Sequence, residues 1–133
     1  MRRLRTTGVI GIVWLFAVPE AALADSCTAP LPSRGSQFSG VVRYIGDGDS
    51  LCVGPAARPN QWIEVRLVDF NAPELHEQGG QAAKQRLRFI TLGHRLMCRA
   101  GQRSYDRVVA ACTLDRRALG DVLRQAGGVE GGR

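Results

Sequence analysis

The alternation of hydrophobic and polar positions predicts a small α+β domain, mainly β with helices. Residues 62–68 alternate strictly, which indicates a half-buried strand with Arg66 on the face away from the core. Residues 81–92 instead repeat apolar side chains at helical spacing, and Gly93 is a stop signal. Further elements are predicted as strands at 38–45, 50–53, 95–98 and 107–114 and a short helix at 119–126. This order of elements favours a partly open, five-stranded barrel with one helix between strands 3 and 4.

The two ends of the chain differ from this region. Residues 1–24 combine three arginines, an apolar run of 11 residues and a final Ala-Leu-Ala, which predicts a cleavable signal peptide. A membrane anchor is the alternative, but a spanning helix needs about 20 apolar residues. The expected product is exported, to the periplasm or the medium, and holds no membrane segment. It has an extended lead-in at 25–37, one domain at 38–126 and a disordered Gly-rich tail at 127–133.

Charge and cysteine content narrow the class of protein. Residues 25–133 carry 15 basic and 11 acidic side chains, and all but one of the basic residues are Arg. Arginine forms bidentate pairs with phosphate, so this bias is compatible with nucleic-acid contact, although genome composition can also produce it. All four cysteines lie in this part. An even count in a small exported domain favours disulfides, and the chain has no CxxC pair for zinc.

The predicted strands suggest how the cysteines pair. Cys98 and Cys112 lie on the two strands that flank the polar connection at 99–106. A bridge between Cys27 and Cys52 would then fix the lead-in to the barrel. Four cysteines allow three connectivities, so the pairing stays open at this stage.

Charged residues occur at turns and strand ends. Asp47 and Asp49 lie in a turn between two predicted strands, Glu74 follows in a loop, and Arg107 opens a later strand. Carboxylate oxygens bind hard cations, a loop Glu can activate water, and guanidinium groups stabilise charge on a phosphate. Together with Arg66, these residues would suit phosphodiester hydrolysis.

The same residues lie in motifs that resemble the staphylococcal-nuclease-like (thermonuclease) family, in order and at similar spacing. The motifs are Asp47-Gly48-Asp49-Ser50, Arg66-Leu67 with Ala72-Pro73-Glu74, and Tyr105-x-Arg107. The resemblance runs from about Phe38 to Gln125. It implies an OB-fold barrel and a Ca²⁺-dependent nuclease that acts, as a monomer, on DNA and RNA.

The resemblance also implies a role for each matching residue. The implied calcium ligands are oxygens of Asp49, Asn71, the Ala72 backbone and, in support, Asp47. The implied groups that act on the substrate are Arg66 and Arg107 on the attacked phosphate, Glu74 as general base and Tyr105 on a nucleotide phosphate.

Simpler interpretations compete with these roles. Asp49 could be an ordinary turn residue, Arg66 could pair with Glu64 on an exposed strand, and Glu74 could flank the loop. His76 and His94 are expected in solvent. Trp62 could stack on a base, but covering the barrel is the simpler role.

Two departures from the family pattern affect function. Asn71 stands where the family normally has Asp, which removes one negative charge and predicts a weak site, usable where calcium is abundant. Asp69 could compensate only if its strand extends that far. The chain also ends soon after the short final helix, without the family's further packing segment. The alternatives are therefore a non-catalytic OB-fold module that binds nucleic acid, or a product that does not fold stably.

Overall fold

The computed structural model describes residues 27–131, so the predicted signal peptide at 1–24 lies outside the described residues. Within that range the chain forms six strands, two α-helices and a short 3-10 turn at Pro59–Gln61. The strands are β1 (Gln37–Ile45), β2 (Ser50–Val53), β3 (Ile63–Leu67), β4 (Arg95–Ser104), β5 (Arg107–Leu114) and β6 (Arg117–Ala118). The helices are α1 (Gly80–Thr91) and α2 (Leu119–Gln125).

The strands form one sheet in the order β3-β2-β1-β4-β5-β6, and all neighbours in this order are antiparallel. A further, parallel pairing joins β3 to β5, with Arg66 opposite Val109. This pairing brings the start of β5 beside the strand that carries Arg66. The predicted α+β class is confirmed, with one helix between β3 and β4 and another after the last strand. The two-residue strand β6 was not predicted.

The largest difference from the predicted elements is the length of β4. Residues 99–104 were expected to be a polar connection, but they continue the strand and pair with β5 as far as Ser104 and Arg107. The polar side chains of this segment lie on the exposed face of the strand, whereas Ala100 among them is buried in the core. Tyr105 then takes a left-handed turn, with φ of 58°, into β5.

The core lies between the sheet and the two helices. Helix α1 buries Ala83 and Leu87 of the predicted apolar stripe, whereas its third member, Ile90, is only partly buried and the polar Thr91 is buried instead. Leu119 and Leu123 of α2 are equally buried. Among the described residues, no helix is long and apolar enough to cross a membrane.

Both suggested disulfides are present. Cys98 and Cys112 are directly opposed on β4 and β5, with their Cα atoms 4.1 Å apart. Cys27 and Cys52 join the lead-in to β2, with a Cα–Cα distance of 6.2 Å. Two covalent bridges agree with an oxidising compartment such as the cell exterior.

The prediction of a disordered tail is wrong for residues 127–131. Gly127 adopts a φ of 86° after α2, and the Gly128 N–H donates to the Leu123 carbonyl at 2.8 Å. Farther on, the Gly131 N–H donates to the Asn71 carbonyl, also at 2.8 Å. The glycines allow this segment to lie close against the domain. From the sequence alone, a glycine-rich segment that packs in this way cannot be told from a disordered one.

Candidate active site

The β1–β2 turn is held by its own first carboxylate. Asp47 Oδ1 accepts hydrogen bonds from the Asp49 N–H at 3.1 Å and from the Ser50 hydroxyl at 2.8 Å. A Cβ on Gly48 would lie 2.5 Å from the Ala72 Cβ, so only glycine fits where the turn meets the loop after β3. The turn therefore presses Asp49, which is 4% exposed, against that loop.

The loop after β3 completes this contact. The Ala72 N–H donates to Asp49 Oδ2 at 2.8 Å, across 23 residues of sequence. Asn71 lies next to this bond, at the edge of solvent. The simple interpretation of Asp49 as a turn residue therefore omits its main contact, which is with a different segment.

Arg66 joins the two segments through its guanidinium group. Its Nη2 lies 3.3 Å from Asp49 Oδ2 and 2.7 Å from Asn71 Oδ1. Its Nη1 donates to the carbonyls of Leu67 and Phe70, at 2.5 and 2.9 Å. The side chain is 20% exposed, so Arg66 is not fully enclosed. Asp49 is thus an acidic partner that holds Arg66 in place.

Arg107 opens β5, the strand that pairs in parallel with β3. Its charge is the smallest of the causes that act on the pKa of Asp47. Tyr105, two residues earlier, is 94% exposed at the tip of the β4–β5 turn. The structure therefore places Arg107 on a strand beside the one that carries Arg66 and leaves Tyr105 in solvent.

Glu74 lies half-buried in the turn before α1. Its carbonyl accepts the Glu77 N–H at 2.9 Å, and a Cβ on Gly80 would lie only 1.8 Å from that carbonyl oxygen. The start of the helix thus fixes the backbone at Glu74, three residues beyond Asn71. His76 is exposed here, as expected.

Other sequence candidates lie away from this cluster. His94 is exposed on the far side of α1, at the start of β4. Trp62 donates from its indole N–H to the Pro55 carbonyl at 2.6 Å, which holds the loop beside β2 and favours the structural interpretation of this residue.

Asp69 does not replace the charge missing at Asn71. Strand β3 ends at Leu67, and the Asp69 carboxylate turns toward α2, where Oδ2 accepts the Gly120 N–H at 3.0 Å. Its Oδ1 is buried and has no hydrogen-bond partner within the described residues. Asp69 therefore does not supply the negative charge that is missing at Asn71, a possibility that the sequence had left open.

The two turn carboxylates titrate differently. Burial, and then the nearby charge of Asp47, raise the pKa of Asp49 to about 6 from 3.8, although Arg66 opposes the shift. For Asp47, burial alone would raise the pKa. The hydrogen bonds from Asp49 and Ser50, with the charge of Arg107, nevertheless hold that pKa below its ordinary value. At neutral pH, burial thus disfavours the ionised form of Asp49, despite its ion pair with Arg66.

The stability of the metal-free protein should therefore rise as the pH falls through 6. The folded state binds the Asp49 proton more tightly than the unfolded chain, whose pKa is 3.8, so the cost of the buried charge is relieved between pH 6 and 4. Urea unfolding in chelator should give about 1 kcal/mol more stability at pH 5 than at pH 7.5 from this group. Asp49→Asn is the matched control and should lack this increment. Equal pH slopes for the two proteins would contradict the assignment.

The donor atoms at this site are the type that a hard cation prefers. Asp49 supplies a carboxylate, Asn71 an amide oxygen and Ala72 a backbone carbonyl, which are typical calcium ligands. No group of three His, Cys, Asp or Glu side chains suitable for a metal occurs within residues 27–131. Both side-chain oxygens also contact Arg66. The donor types are therefore those of a hard-cation site, with a low total ligand charge.

Two features near the site were missed from the sequence. The first is the tail, whose Glu130 accepts the Asn71 N–H at 3.1 Å across 59 residues. The second is a groove of about 350 Å³ on the outer face of β4 and β5. Arg34 and Arg99 border it, and its apolar floor includes Val68 and Val109. No local pattern signals either feature, because both depend on strand register and on the path of the chain ends.

The sequence matches no family model. The resemblance to the thermonuclease family therefore rests on the sequence motifs alone.

Proposed function

We propose that this chain is an exported, Ca²⁺-dependent nuclease that hydrolyses phosphodiester bonds of DNA or RNA with little sequence preference. The observation that carries the proposal is the Arg66 guanidinium, which contacts both Asp49 and Asn71 and belongs to a side chain that is 20% exposed. Three segments of chain thus bring a carboxylate, an amide oxygen and a guanidinium group together. Arg107, on the strand that pairs with β3, would add a second cation.

Each residue has a chemical task in this proposal. Arg66 and Arg107 bind the non-bridging oxygens of the attacked phosphate and stabilise the charge that develops there. Glu74 removes a proton from the attacking water. Asp49, Asn71 and the Ala72 carbonyl hold the calcium ion, with Asp47 fixing the turn. When bound, the ion supplies polarisation of the phosphate.

We also interpret the fold as an OB-fold barrel that acts as a monomer. The parallel β3–β5 pairing links strands that are otherwise separated in the sheet, which supports closure of the five longer strands. All proposed site residues come from a single chain.

The groove on β4 and β5 supports a polynucleotide substrate. Val109 lies two residues after Arg107 on the same strand, so the two side chains project from the same face. The groove therefore begins beside the proposed site and leads toward Arg34 and Arg99. An apolar floor bordered by arginines suits a strand whose bases pack and whose phosphates pair with guanidinium groups. In this proposal Tyr105, exposed beside Arg107, contacts a neighbouring phosphate.

Glu74→Gln tests the proposed chemistry. Loss of the general base should lower kcat on DNA by roughly 10²-fold or more, because the amide cannot accept the proton. Glu77→Gln, three residues farther on and exposed, is the matched control and should keep full activity. Thermal unfolding should show that both variants are folded. Equal kcat values for Glu74→Gln and the wild type would reject Glu74 as the base.

A non-catalytic OB-fold module is the second candidate. It is favoured by the engagement of both Asp49 and Asn71 oxygens with Arg66, since a cation must compete for them. Such a module would bind single strands with an affinity that falls linearly on a log–log plot against salt, and would cleave nothing at any calcium concentration.

A further inference from the structure

Residues 129–131, here called the C-terminal strap, fold back onto Asn71. The Gly131 N–H donates to the Asn71 carbonyl at 2.8 Å, and Glu130 Oε1 accepts the Asn71 N–H at 3.1 Å. The side-chain amide of Asn71 also donates from Nδ2 to the Gly131 carbonyl at 3.4 Å. The strap thus bonds to the backbone and to the side chain of a single residue.

Helix α2 anchors the strap from the other side. Arg124 Nη2 lies 3.3 Å from Glu130 Oε1, while Nη1 pairs with Asp121 at 3.1 Å. The same guanidinium lies 5.7 Å from the centre of the Phe70 ring. The Asn71 N–H and, next, Arg124 hold the pKa of Glu130 below its usual value. Glu130 is therefore the shared acceptor between α2 and the loop that carries Asn71.

These contacts explain why an amide suits position 71. Oδ1 of Asn71 accepts from Arg66 while Nδ2 donates to the Gly131 carbonyl. A carboxylate has no donor, so Asp at this position would set an oxygen against that carbonyl and add a charge beside Glu130. Gly131 favours this close approach, because a Cβ there would lie 3.0 Å from backbone atoms of Pro73 and would displace them by a few tenths of an ångström.

We propose that the C-terminal strap orients the Asn71 side chain toward the candidate calcium site and that Glu130 is the positioning residue. The metal part of this inference rests on the proposed function, whereas the docking of the strap does not. Groups that orient a metal ligand from behind commonly change metal affinity by 10- to 100-fold. Asn71 would thus give the site a neutral ligand in place of a carboxylate, and the C-terminal strap would fix the orientation of that ligand.

The experiment compares three variants of the full mature chain. Glu130→Ala removes the acceptor, Glu130→Gln keeps an oxygen acceptor, and Asp121→Ala removes the other acidic partner of Arg124 without touching Asn71. Calorimetric titration with Ca²⁺ and hydrogen exchange of the Asn71 amide are measured for each. Glu130→Ala should weaken Ca²⁺ binding about tenfold and speed Asn71 exchange at least tenfold. The other two should stay within threefold of the wild type in both.

The two readouts separate the two proposals. Unchanged Asn71 exchange in Glu130→Ala would overturn the docking of the strap, and faster exchange with unchanged Ca²⁺ affinity would overturn its positioning role. A wild type that binds no Ca²⁺ would reject the metal site and, with it, the positioning role, while exchange would still report on docking. Asn71→Asp gives an independent measurement: it should gain at least fivefold more Ca²⁺ affinity in a Glu130→Gln background than alone. Equal gains in Ca²⁺ affinity with and without Glu130→Gln would count against the inference.

Discussion

Replacing Arg66 by Lys should lower kcat/KM on DNA at least 100-fold. The guanidinium uses both Nη atoms at once, on four oxygens: those of Leu67, Phe70, Asn71 and Asp49. An ammonium group keeps the charge but has three donors and lacks the planar fork, so it cannot hold all four of these partners in one geometry. Loss of a preorganised donor to a developing anion typically costs 10²- to 10³-fold in kcat.

Arg43→Lys is the matched control for this change. Arg43 also donates to a backbone carbonyl, that of Gly54 at 2.8 Å, but it lies outside the candidate active site. Activity should remain within threefold of the wild type in this variant. A kcat/KM for Arg66→Lys that is also within threefold would show that the guanidinium does not act on the phosphate.

The second large effect is expected on stability. Replacing both Cys98 and Cys112 by Ala should lower the free energy of unfolding by about 3 kcal/mol, since the bridge closes a loop of about 15 residues. In a domain of this size that loss corresponds to a fall in Tm of about 15 °C. The bridged residues are almost fully buried, at 4% and 2% exposure, so strand pairing around them depends on their packing as well.

The neighbouring cross-strand pair provides the control. Met97 and Thr113 are opposed on the same two strands without a covalent bond, and Met97 is 56% exposed. Their double replacement by Ala should cost less than 1 kcal/mol. A cysteine double variant that unfolds within 1 kcal/mol of the wild type in denaturant would contradict a stabilising role for the bridge.

Local periodicity predicted those elements that bury one face. Helix α1 and strand β3 follow from apolar spacing, because Leu87 and Val65 fall where the core requires them. The extension of β4 could not be read in this way. Residues 99–104 are held mainly by backbone pairing with β5, and polar side chains on an exposed strand resemble those of a loop.

In the candidate site, too, local patterns predicted some features, whereas features that depend on distant contacts were not predicted. Asp49, Arg66 and Asn71, which the motifs selected, lie together in the structure, where Arg66 contacts the other two. The disulfide between Cys98 and Cys112 followed from strand order. The contact between Glu130 and Asn71 could not be predicted, because it joins residues 59 positions apart through a glycine-rich segment. The role of Asp69 could not be predicted for a similar reason, because the direction of its side chain depends on where β3 ends.

The most direct test of the proposed nuclease is cleavage by the oxidised mature protein with Ca²⁺ and with chelator, measured alongside binding of the same labelled DNA. We expect cleavage that saturates with Ca²⁺, at concentrations in the high range for protein sites, and that stops in chelator while binding persists. Cleavage that continues in chelator would contradict the calcium mechanism. Salt-sensitive binding without cleavage at any Ca²⁺ concentration would contradict the enzyme and identify the chain as a nucleic-acid-binding module.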